Sequence, residues 1–145
     1  MIYAIKHRLR PGDRLISPLF ATGLTKHHAI YLGMDTTGIE WVAENHKLLG
    51  VRAVKATAYF ASAPSFIIRP FSGSYAEMIV AVQRALAEVG KPYDLINYNC
   101  EHYAEYVQNG LVFSQQVENV KALACIALGT IAVFAALTLF KNNKL

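Results

Sequence analysis

The sequence predicts an α+β fold: a small antiparallel sheet packed on helices, followed by a C-terminal transmembrane helix. Three observations carry this expectation. Short β-branched and aromatic runs parted by turn residues fill positions 12–56, apolar residues at helical spacing recur over 74–110, and residues 122–140 carry no charge. The 145 residues suit one domain of ordinary size. Hydrophobic residues make up 54% of the chain and charged ones 17%, an apolar balance richer than a soluble domain shows, and much of the excess sits in the C-terminal stretch.

Taken in order, "LRPGDRLISPLF" opens with a Pro-Gly-Asp turn and then alternates, as a strand entered from a tight turn does. "HHAIYLGM" reads as a second strand that ends near Gly33, before the turn "DTTG". "IEWVAENH" and "VRAVKA" read as two more strands joined by "KLLG", so a meander of short antiparallel strands is expected over 12–56. "SFIIRPF" adds a short strand closed by Pro70. Ser74 and Glu77 then form a capping box ahead of a helix whose apolar positions are Ile79, Val82, Leu86 and Val89, with Gly90 and Pro92 as its stop. "NCEHYAEYVQNG" reads as a second amphipathic helix, with Tyr103, Tyr106 and Val107 on its apolar side, Gly110 at its end and Cys100 in its first turn.

The stretch "ALACIALGTIAVFAALTLF" at 122–140 has 19 residues. At about 1.5 Å per residue it spans most of a hydrocarbon core about 30 Å thick. Lys121, Lys141 and Lys144 flank it and can snorkel to the head groups. The division expected is a catalytic domain over 1–113, a linker over 114–121 and a single-pass anchor over 122–140. The opening "MIYAIKHRLRPGDR" is charged and has no signal-peptide core, so a tail-anchored protein with a cytosolic domain is expected. The two cysteines, Cys100 in the domain and Cys125 in the span, read as free thiols. A net charge of +4 with scattered Lys and Arg suits a membrane surface better than nucleic acid.

A thiol at a helix N-terminus meets unpaired backbone N–H groups and the positive end of the helix dipole, both of which favour thiolate and can hold an oxyanion. Cys100 therefore reads as a candidate nucleophile, against the alternative of an inert buried cysteine. Among the five histidines, His7 has no evident role. His102 follows Cys100 by two positions on the same helix and points away from the thiol. His27, His28 and His46 come from the meander, and the residues alone leave the choice of base among them open. No Cys-x-x-Cys or His-x-x-x-His spacing supports a metal site built from these groups, and no cofactor is implied.

With "NCEHY", "HHAIYLG" and "PGDRLI" in this order, residues 11–110 resemble the lecithin:retinol acyltransferase family and its HRAS-like suppressor relatives, a permuted branch of the NlpC-type papain-like fold. The family pattern Asn-Cys-Glu-His-Phe, with a Gly ten residues after the Cys, is similar to Asn99, Cys100, Glu101, His102 and Tyr103 with Gly110. The resemblance implies His27 as the base, four positions before Tyr31. His28 then falls where the family usually has an aromatic. The family's third polar residue is usually a second His on the next strand; here that position holds Glu44, with Asn45 and His46 as close competitors. A carboxylate there suits the task of accepting the other ring N–H of His27, although Glu44 reads equally well as a solvated strand residue.

The activity implied is thiol-dependent acyl transfer from a glycerophospholipid, or its hydrolysis, through an acyl-Cys100 thioester. Two other readings stand beside it. One is an NlpC-type cysteine peptidase or amidase. The other is a non-catalytic membrane interaction module.

Overall fold

The computed structural model describes residues 2–19 and 25–142, with side chains as far as 128. The chain divides into two units, Met1–Ser114 and Gln115–Leu145. The first is α+β, as expected. Its strands are β1 (Arg14–Pro18), β2 (Lys26–Met34), β3 (Glu40–His46), β4 (Gly50–Lys55) and β5 (Ile67–Arg69). They form one antiparallel sheet in the order β4-β3-β2-β1-β5. The four-strand meander follows the expected order, and β5 closes on the free edge of β1.

Helices cover both faces of the sheet, which is why adjacent residues of one strand can both be buried. Ile30, Ala43 and Val51 pack against α3 (Tyr75–Ala87) and α4 (Cys100–Asn109). Ala29, Tyr31 and Val42 pack on the opposite face against Leu9 and against Tyr59 and Phe60 of α2 (Ala56–Ser62). Alternation along β2 and β3 thus sends odd and even positions into two different cores.

Ser74 forms the expected capping box with Glu77 at the start of α3. The buried side of α3 differs from the expected one. Ala81 and Ala85 are fully buried, while Ile79, Leu86 and Val89 are 41%, 49% and 48% exposed. Close approach to Tyr103 and Ala104 of α4 selects the small residues, and the Tyr103 hydroxyl donates to the Ala85 carbonyl at 3.1 Å. Two helices were not anticipated. α1 (Tyr3–His7) has its first N–H groups held by the Glu40 carboxylate from β3, and α2 follows β4 directly.

Helix α5 (Gln115–Asn142) begins within the linker expected over 114–121. Among the described residues no helix is long and apolar enough to cross a membrane. The side chains of the span expected at 122–140 lie outside the described ones from position 129 onward.

Candidate active site

The site grows from the way α4 is started. Asn99, the residue before the helix, accepts the N–H groups of Glu101 at 2.9 Å and His102 at 3.1 Å through its side-chain oxygen. His102 reaches back, its Nδ1 accepting the Asn99 N–H at 3.2 Å, which completes a capping box. Glu101 takes a hydrogen bond from the Ser114 hydroxyl at 2.7 Å and lies 3.7 Å from the Arg14 guanidinium. Asn99, Glu101 and His102 therefore build the helix N-terminus around Cys100. None of the three takes part in the contacts between Cys100, His27 and Glu44.

Cys100 is buried, and its Sγ lies 3.7 Å from the carbonyl of Lys26 at the start of β2. The next residue, His27, falls on the same face as Ala29 and Tyr31. Ala29 pairs with Glu44 across β2 and β3, so His27 and Glu44 are diagonal neighbours on one face. Their side chains meet: His27 Nε2 lies 2.5 Å from Glu44 Oε2. Cys100 lies near enough to raise the pKa of His27, and both line one cleft.

These contacts set the charge of the site. Burial, the largest influence on His27, acts to lower its pKa. The influence of Cys100, the Glu44 carboxylate that accepts from Nε2 and its negative charge outweigh it, and His27 rises from its ordinary 6.5 to about 9. Glu44 is likewise opposed by burial, yet His27 and Arg52 together hold its carboxyl below the usual range. At neutral pH the ring is an imidazolium beside the Glu44 carboxylate.

The three alternates have other partners, although Asn45 and His46 also line the cleft that holds Cys100. His28 points to the opposite face, where Arg14 donates to its Nδ1 from Nε at 2.7 Å and also from Nη2. Burial and then the Arg14 charge lower its pKa to about 3, so it stays neutral. Asn45 also turns to that face and donates to the Tyr98 carbonyl at 2.7 Å, which pins the loop leading into Cys100. His46 accepts the Leu48 N–H through Nδ1 at 3.2 Å. Among the candidates, His27 and Glu44 meet directly, and Cys100 lines the same cleft as that pair.

A cleft of about 580 Å3 opens onto all three, with Leu19, Leu48 and Pro64 among its apolar lining. That size suits a small-molecule or single-chain ligand. Arg52, also on its wall, donates to Glu44 Oε1 from Nε at 2.8 Å and Nη2 at 2.6 Å. Sequence reasoning missed Arg52. The signal was present, since β3 and β4 pair with Glu44 directly opposite Arg52, an opposite-charge pair on neighbouring strands. Tyr93 was missed as well; it lines the cleft from the loop before α4. Among the described residues no cluster of metal-ligating groups is found. Compared with family models and with curated proteins, the chain matches none.

Proposed function

We propose that this chain is a thiol-dependent phospholipid acyltransferase or phospholipase A working through an acyl thioester on Cys100. The observation that carries the reading is the hydrogen-bonded His27–Glu44 pair, with Cys100 beside it at the wall of one cleft. The motif resemblance of residues 11–110 supports an ester of glycerophospholipid as the substrate. The apolar part of the cleft wall suits an acyl chain, and the uncharged stretch at 122–140 suits an anchor that keeps the domain beside lipid.

The reactive form in this reading is a Cys100 thiolate beside a His27 imidazolium. The sulfur attacks the ester carbonyl, and a C–S bond forms as the carbonyl electrons move to oxygen. The Cys100 N–H, at the positive end of α4, is placed to stabilise that oxyanion. As the C–O bond breaks, His27 gives its proton to the departing lysophospholipid oxygen. Neutral His27 then takes a proton from water, or from an acceptor amine or alcohol, as it attacks the thioester, which returns the imidazolium and the thiolate. Glu44 holds the ring through Nε2 and offsets its charge, and Arg52 holds Glu44. The test is formation of lysophospholipid from phosphatidylcholine by the full chain. It should be lost in Cys100→Ala and in His27→Ala; equal formation by either variant would overturn the reading.

A further inference from the structure

The turn between β3 and β4 is held by more than its own chain. His46 pairs with Gly50, leaving 47–49 as a three-residue loop closed by a glycine in the left-handed region, φ 69°. The His46 carbonyl accepts the Leu49 N–H at 3.2 Å, and the His46 ring accepts that of Leu48 at 3.2 Å. At its base, Val51 donates to the Lys91 carbonyl at 2.8 Å and accepts from Gly90 at 2.8 Å. A side chain at residue 50 would bring a Cβ within 2.3 Å of that Lys91 carbonyl, so only glycine lets the turn seat there.

This fixed turn presents Leu48 and Leu49 at 82% and 63% exposure, and Leu48 is the most exposed large apolar side chain among the described residues. Lys47 and Leu48 both border the cleft that holds Cys100. The charged lining of that cleft also comprises His27, Glu44 and Arg52. Its one carboxylate is committed to His27 and Arg52, so the rim is positive. Two leucines held outward beside a lysine, at the mouth of a cationic cleft, have the chemistry of a segment that enters the head-group layer of an anionic bilayer.

We propose that the tip Lys47, Leu48 and Leu49 inserts into the surface of a phospholipid bilayer and seats the cleft mouth on it. This names the surface on which the acyl chemistry proposed above takes place, and it rests on that reading for its purpose. Trp41 is the single tryptophan of the chain, so Trp41→Phe with Leu48→Trp leaves one indole, at the tip. The full chain carrying both changes is titrated with vesicles of phosphatidylcholine mixed with phosphatidylserine. The expected result is a blue shift of the emission, quenching by phosphatidylcholine brominated in its acyl chains, and an apparent lipid affinity lowered more than about tenfold by Leu49→Asp. Emission that stays unshifted and unquenched on vesicles overturns the proposal. So does a shift that grows with protein concentration in the absence of lipid, which would assign the tip to a second copy of the chain. Because the indole readout needs no turnover, failure of the tip to insert and failure of Cys100 to become acylated register separately.

Discussion

Replacing Glu44 by glutamine keeps the shape of the side chain but removes the charge that His27 Nε2 meets at 2.5 Å. A charge-assisted hydrogen bond contributes about 1.5–3 kcal/mol, which at about 1.4 kcal/mol per unit is roughly one to two pKa units. His27 stands at about 9 against the opposing effect of its burial, and that burial is unchanged by the substitution. Its titration in Glu44→Gln should therefore fall by roughly one to two units, to roughly 7–8. Arg52, deprived of its carboxylate, acts in the same direction as an uncompensated cation near the ring. Arg52→Met, by contrast, leaves Glu44 to His27 alone, and the ring should titrate no lower than before. The assay is an NMR titration of the His27 imidazole in histidine-labelled full chain, with the alkaline limb of the acyl-transfer rate followed in parallel. An unchanged midpoint in Glu44→Gln, or an equal fall in Arg52→Met, would refute the role given to Glu44.

Stability should follow the same group. The folded pKa of His27 lies above its ordinary 6.5, so its contribution is complete below that value and is lost as pH rises through about 9. The loss is on the order of 3 kcal/mol, measurable as the difference in urea unfolding between the unsubstituted chain and His27→Gln at either end of that window. Asn99→Ala removes a cap that accepts two N–H groups and should cost about 1–2 kcal/mol in the same experiment, with greater access of the Cys100 thiol to alkylating reagents. Arg14→Met leaves Glu101 and Glu105 without a buried guanidinium, 2.5 Å from Glu105 in the native chain, and should destabilise by about 3–5 kcal/mol. Thermal unfolding of that variant close to the native midpoint would contradict the reading of this network.

The meander was legible because its signals are local: alternation within each strand, and Gly or Pro-Gly-Asp turns between them. The first turn of α4 was legible for the same reason, since Asn99 announces the cap and Gly110 the end. The unanticipated helices owe their existence to distant partners. α1 is capped by Glu40, 36 residues away from Ala4, and α2 has no side-chain cap and is held by burying Tyr59 and Phe60. The inner face of α3 depended on how closely α4 approaches, which decides between an alanine stripe and a bulkier one. At the site, Cys100 was legible from its place at a helix N-terminus, while His27 was selected by the family resemblance rather than by the residues alone. Which of Glu44, Asn45 and His46 would meet the imidazole depended on pleat and register, and the pairing of Ala29 with Glu44 puts Glu44 on the His27 face.

The central claim is that Cys100 carries an acyl group. Full-length chain is incubated with phosphatidylcholine vesicles, quenched in acid, and its intact mass measured with the site located by peptide mapping. A fatty-acyl increment on Cys100 that is absent in His27→Ala is the predicted result. Folded chain that shows no increment and releases no fatty acid would contradict the account and return the site to an amidase or a non-catalytic reading.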